Sequence, residues 1–397
     1  NANGDHSIAF TVPRVTIQNG ALDSLNARFD IVGNGLTVID GQYDAATSTI
    51  GYGCLSLLDS GTPALGHANG ADGSTITGLI LIRCNGDAIS ANGHGYTISN
   101  NFIGLLPSGT KMANSGSGIS LTASAVYPDT TTLNHILNSL PAVPVDASQI
   151  AAYQSALATA WAAISAPINI TNNTISGNDQ HGVNIHGMNQ AAVIVAGNRI
   201  GTDPTGATEV PNGQHGVYLN AFTFSNMIGP DNVIAGNGED GIRVDAGEVP
   251  LPNYILGNRI GLGLVAGNHV GNDDNGVYTN TRASDGSTPG TLPNPFGTSL
   301  YIGPSNEISD NQGMVSNSTP TSWPDDPSFD AYAGVFLTSA SHDIKVIGNT
   351  IGLASFGGSL QASNAYGNAG DGIIVTSSDN VIGGTITYFD ASKTIFK

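Results

Sequence analysis

GVNI (182–185), GVYL (216–219), GIRV (241–244) and GVYT (276–279) state one phrase four times between Gly182 and Asn280. In each copy a glycine precedes alternating inward apolar and outward variable residues, the period of two that marks a strand with one buried face. The starts lie 34, 25 and 35 residues apart. That distance is too long for hairpins and suits coils returning to one sheet, so the strands are expected to stack in parallel as a solenoid. The phrase continues outward as DAIS at Asp87, SGISL at Ser117, AGVFL at Ala333 and DGIIV at Asp371, with QGMV at Gln312 a weaker copy.

A second phrase falls between the first ones: SNNFIG at Ser99, AGNRIG at Ala196, LGNRIG at Leu256, AGNHVG at Ala266 and IGNTIG at Ile347. Its glycine and asparagine mark a corner. Asparagine tolerates left-handed backbone, and stacked side-chain amides can bond from coil to coil, so Asn101, Asn198, Asn258 and Asn349 are read as structural.

The unit GNRIGTDPTGATEVPNGQHGVYL from Gly197, with the openings SIAFTVPRVTIQNGAL and FDIVGNGLTVIDGQ, resembles the right-handed parallel β-helix proteins of the pectate-lyase-like class. Within that class it is similar to secreted bacterial repeat proteins. The resemblance implies an all-β chain, one right-handed parallel β-helix over residues 1–397, at the cell surface or secreted. The class holds pectate and alginate lyases, polygalacturonase-like hydrolases, epimerases, tailspikes and adhesins. Activity must therefore be argued from the site.

Composition agrees with a solenoid of tight corners: 53 glycines and 6% aromatic residues. The 11 basic against 30 acidic residues give a formal charge of −19, which opposes nucleic acid and anionic membranes and disfavours an all-uronate substrate. Calcium is the one candidate cofactor, as a means of offsetting that charge. No apolar run reaches the length of a membrane span, and no secretion signal opens the chain, whose start reads as mature or trimmed. Cys54 and Cys84, 30 residues or about one coil apart, suit either a disulfide between coils or two buried thiols. Exposed strand edges would also allow a homo-oligomer.

Three insertions interrupt the repeat. Residues 122–167 include DASQIAAYQSALATAWAAISAP, whose cap signal, alanine content and closing proline predict a helix from about Ala147 to Ile164. Tyr153 and Trp161 share one face of it, and at least one of them is expected to pin it to the solenoid. Residues 282–298 and 317–331 are turn-rich loops. All three are expected to rise from one edge of one sheet and wall a groove. Residues 43–73 read as a surface loop, and His94 in NGHGYTI as a turn histidine, although its GHG string resembles a hydrolase signature.

Alternation gives the outward face of the central strands. Before each glycine stand His181, His215, Asp240 and Asn275; two after it Asn184, Tyr218, Arg243 and Tyr278; four after it His186, Asn220, Asp245 and Asn280. Outside the central coils the columns turn bland, with Ser90 and Ser120 on one side and Phe336 and Ile374 on the other. Aromatic, amide and carboxylate side chains on one face suit a polysaccharide or oligosaccharide. For glycoside hydrolysis the acid and base candidates are Asp240 and Asp245, helped by Glu239. For β-elimination by a polysaccharide lyase they are His215, Tyr218 and Arg243. His181, Asn184, His186, Asn220, Asn275, Tyr278 and Asn280 would bind substrate. Charge favours hydrolysis over elimination. The alternative is a glycan-binding or adhesin-type surface protein without catalysis, and a column of His181, His215 and Asp240 also has the composition of a metal site.

Overall fold

The computed structural model describes residues 6–10, 13–16, 28–44, 53–57, 72–122, 135–136, 138–162, 166–186, 192–220, 223–246, 251–280, 299–312, 332–339, 341, 343–356, 359–361, 366–377 and 379–383. The chain is a parallel β-helix. One coil runs from the strand Val183–His186 through Val193–Ala196 and Arg199–Ile200 to Val217–Asn220, which pairs in parallel with Val183–Ile185 where the coil began. Such parallel returns take the right-handed path.

Two parallel sheets enclose the core. The front sheet has nine strands, numbered here β1 (Leu55–Leu57), β2 (Ile89–Ala91), β3 (Ile119–Thr122), β4 (Val183–His186), β5 (Val217–Asn220), β6 (Ile242–Asp245), β7 (Val277–Thr279), β8 (Val335–Leu337) and β9 (Ile373–Val375). The back sheet has nineteen strands. Its central coils contribute two each, divided by the Gly-Asn corner. Between the sheets lie the inward residues of the alternation, among them Val183, Ile185, Val195, Ile200, Val217, Leu219, Ile242 and Ile260, all fully buried.

The corners work as the repeat implies. Gly197 takes φ +69°, and Asn100 and Asn172 take φ +57° at the matching place in their own coils. The residue after each is a rung of an asparagine ladder. Asn101, Asn173, Asn198, Asn232, Asn258, Asn306 and Asn349 pass hydrogen bonds upward, each Nδ2 donating to the next Oδ1 at 2.8–3.1 Å. A second ladder, Asn114, Asn178, Asn212, Asn237, Asn272, Asn311 and Asn368, lines the corner before the front sheet at 2.8–3.0 Å.

The phrase glycine is explained by that second ladder. A Cβ at Gly216 would stand 2.6 Å from the Gly241 carbonyl oxygen, 2.6 Å from Ile234 Cγ2 and 2.8 Å from Asn237 Nδ2. The neighbouring coil can approach only where no side chain exists. Gly216→Ala should therefore lower unfolding stability by about 1–3 kcal/mol, the range for overpacking. Gly367→Ala, where a Cβ would meet nothing within 4 Å, should stay within about 0.5 kcal/mol in the same urea titration.

Several expectations change. The 43–73 segment is not only loop, since it supplies β1. AGNHVG is not a corner of the back sheet: Asn268 is exposed and donates to the Ala207 carbonyl, in a loop between Arg259–Ile260 and β7. The front sheet passes directly from β7 to β8; of the QGMV copy, residues 313–315 lie outside the described residues. Cys54 and Cys84 form a disulfide, with Cα atoms 5.3 Å apart.

The predicted helix is present as α1 (Ala147–Ala162) and begins where expected, with Asp146 Oδ1 accepting the Ser148 amide and Gln149 Oε1 accepting the Val145 amide. It does not stand beside the front sheet. Ile150, Tyr153, Leu157 and Trp161 pack on Phe224, Met227 and Tyr254, the latter two on the outer face of the back sheet, and Trp161 Nε1 donates to Ser225 Oγ at 2.8 Å. Both aromatic residues pin the helix. The other two insertions, 282–298 and 317–331, lie outside the described residues.

Candidate functional site

β4 to β7 carry the polar columns on the outward face, in the register that alternation implies. Asn184 pairs with Tyr218, Tyr218 with Arg243 and Arg243 with Tyr278, and the column continues to Ser120 on one side and Phe336 on the other. Parallel strands stack at about 4.8 Å, so residues from consecutive coils meet.

Arg243 is the centre. Its Nε donates to Asp245 Oδ2 at 2.9 Å, its Nη1 lies 3.6 Å from Asp240 Oδ2, and its guanidinium sits 4.4 Å above the Tyr278 ring centre. Burial works against its charge, but the bond to Asp245 and the charges of Asp245 and Asp240 outweigh that cost and hold the guanidinium more firmly protonated than usual. Tyr218 Oη donates to the same Asp245 Oδ2 at 2.9 Å. Burial and then the Asp245 charge raise the Tyr218 phenol, so it is a proton donor at neutral pH.

Asp240 is 2% exposed. Its Oδ1 accepts from the Asn275 amide at 3.1 Å and from Asn275 Nδ2 at 2.9 Å. Burial, reinforced by Asp274, pushes its pKa up to about 7 against the pull of Asn275 and Arg243. His215 Nδ1 accepts the Asp240 backbone N–H at 3.3 Å, which places the ring proton on Nε2, facing Glu239 Oε2 at 3.1 Å. His181 stacks on His215 with centres 5.2 Å apart and lies 4.8 Å from the Tyr218 ring. Burial, with Arg243 nearby, lowers His181 to about 4 and His215 to about 2. Two neutral imidazoles can stack without charge repulsion.

The fold thus joins His181, His215, Tyr218, Asp240, Arg243, Asp245, Asn275 and Tyr278 in one network, with Glu239 at its rim. Asn184, His186, Asn220 and Asn280 share the face, but no described side-chain bond links them to it; His186 is exposed. Asn275, expected to read substrate, instead holds Asp240, and its Oδ1 accepts the Ala333 amide. Asp274, which adds its charge to Asp240, was not foreseen; adjacency to Asn275 in NDDNG was the only signal. Among the described residues no three His, Cys, Asp or Glu side chains are placed to hold a metal ion. The column of His181, His215 and Asp240 stacks rather than converging. His94 lies elsewhere, its amide donating to Asp72 at 2.7 Å.

No protein-family model matches the chain. No curated protein matches it either. Among solved structures, the A-module of the Azotobacter vinelandii mannuronan C-5 epimerase AlgE4 is similar at 13% identity and a TM-score of 0.36, over 97% of this chain and 89% of that one. The A-module of AlgE6 from the same organism is similar at 13% identity and a TM-score of 0.38, over 94% and 89%. These are likenesses of fold.

Proposed function

We propose that the front-sheet network is the glycan site of a secreted or cell-surface β-helix protein, and that it hydrolyses the glycosidic bond it holds. The observation carrying this reading is the joining of three carboxylates, two imidazoles, two tyrosines and one arginine on four consecutive coils, beyond which the Arg243 column continues to Ser120 and Phe336. Asp240, half protonated near pH 7, is the proton donor to the leaving oxygen. Asp245, its Oδ1 without a partner, is the base that activates water. Arg243 lies between them, bonded to Asp245 and 3.6 Å from Asp240.

β-Elimination is served less well. It needs a cation for the substrate carboxylate, and Arg243 is already engaged by Asp240 and Asp245. Binding without cleavage is favoured by one observation, that Asp240 and Asp245 are only 2% and 6% exposed. The disulfide supports an oxidising compartment. No helix among the described residues is long and apolar enough to cross a membrane.

Incubation with a panel of neutral and uronate polysaccharides tests the reading, following reducing ends and the ultraviolet absorbance of unsaturated products together. New reducing ends without absorbance are expected. The rate should fall as pH rises through about 7, where Asp240 loses its proton. Absorbance would establish elimination instead, and binding with neither signal would leave recognition alone.

A further inference from the structure

Three of the four buried unpartnered atoms of the site are oxygen acceptors. Among the described residues, Asp245 Oδ1, Asn184 Oδ1 and Asn280 Oδ1 are buried acceptors without a hydrogen-bond donor, and His181 Nδ1 is the fourth unpartnered atom. None of Arg243's nitrogens is among the buried unpartnered atoms: Nε is bonded to Asp245, and the guanidinium, 28% exposed, lies beside Asp240 and the Tyr278 ring. Buried acceptors without donors are costly and are completed by whatever binds. The unmet demand is for hydrogen-bond donors.

Resting on the glycan reading above, we infer that this site takes an uncharged, hydroxyl-rich sugar chain rather than a polyuronate. Hydroxyl groups donate, whereas an ionised carboxylate only accepts. A uronate at this position would face Asp245 and Asn184 with acceptor against acceptor, and would bring its charge beside Asp245 and Glu239. Asp245 is the residue that decides the matter. Its Oδ2 already accepts from both Tyr218 Oη and Arg243 Nε, which leaves Oδ1 alone toward the ligand.

That geometry makes Asp245→Asn a reversal of sign rather than a deletion. The amide oxygen must stay at the Oδ2 place to serve Tyr218 and Arg243, so the NH2 group stands where Oδ1 stood. A donor then replaces an acceptor with almost no change of shape.

Isothermal titration of the full chain with neutral gluco-, manno- and xylo-hexasaccharides and with galacturonate and mannuronate hexamers tests the inference. At least one neutral oligomer should bind tenfold or more tighter than any uronate of equal length. Weak uronate binding should strengthen with added salt, as like-charge repulsion is screened. Asp245→Asn, checked for an intact fold by circular dichroism, should weaken the neutral oligomer at least tenfold and narrow the gap to the uronates. Uronates that bind tighter and weaken with salt would overturn the inference while leaving a glycan site. Binding that requires added calcium, or neutral affinity unchanged in Asp245→Asn, would also overturn it. No binding of either class would remove the glycan reading itself.

Discussion

Asp240→Asn should make the protein more stable at pH 8 and no more stable at pH 4. The wild-type carboxyl has its pKa raised from 3.8 to about 7 in the fold, so the folded state holds the proton more tightly than the unfolded chain. The stability linked to that proton is fully present below about pH 4 and is lost as pH climbs through 7. A rise of that size corresponds to about 4 kcal/mol at most, and about 2–4 kcal/mol is the expected gain of the variant at pH 8. An amide oxygen at this place still accepts from Asn275, and its NH2 faces the lone pair of His215 Nδ1. Urea midpoints from pH 4 to 8 should fall for the wild type relative to the variant. Parallel curves would mean that Asp240 is not held protonated, and would remove it as the acid.

The second large effect is expected away from the site, at Asn237. This side chain accepts from Asn212 Nδ2 at 3.0 Å, donates to Asn272 Oδ1 at 2.9 Å and to the Ile200 carbonyl at 3.3 Å, and its own backbone amide also donates to Asn272 Oδ1. Asn237→Ala leaves one N–H of the Asn212 amide without a partner in a dry corner, while the Ile200 carbonyl keeps its bond from the Ala235 amide. At about 1–3 kcal/mol for a buried group left unpaired, a loss of about 1–3 kcal/mol is expected in denaturant unfolding. Asn237 Nδ2 also lies against the place a Gly216 Cβ would take, directly below the residues that follow His215 and Asp240. Glycan affinity should therefore drop in this variant although it touches no ligand. A loss under about 1 kcal/mol would show that the ladder is slack.

The coil, its glycine and the outward columns are legible in the sequence because parallel stacking repeats one geometry, and a repeated geometry writes a repeated phrase. The second ladder leaves an equally regular mark: Asn114, Asn178, Asn212, Asn237, Asn272 and Asn368 each stand four residues before a phrase glycine. Asn311 breaks that spacing because the 317–331 insertion separates it from Gly334. Other features leave no periodic trace. Alternation tells which side of a strand a residue faces and says nothing of how deeply its neighbours cover it, so Asp240 and Asp245 read as surface groups although they are buried under Arg243 and His215. The face of α1 is plain from Tyr153 and Trp161. Its destination is not, since an apolar helix face fits the outside of either sheet, and only the large outward residues Met227 and Tyr254 distinguish the back one. The bond from Tyr218 to Asp245 runs diagonally between columns, where no single-column reading looks.

The two asparagine ladders also give the rod a head and a tail. Every rung hands its amide proton forward along the chain, so the side-chain dipoles add as a vector along the axis instead of cancelling. The tail is closed by backbone, with the Leu79 amide on Asn101 Oδ1 and the Cys84 amide on Asn114 Oδ1. At the head, Asn349 and Asn368 each give one amide proton back to the carbonyl of Ile302 or Ile308, and an amide has two. The tails are not where the rod stops, since the coils of Thr75–Ile82 and Phe29–Asp40 stack below them; the polarity belongs to the coils between.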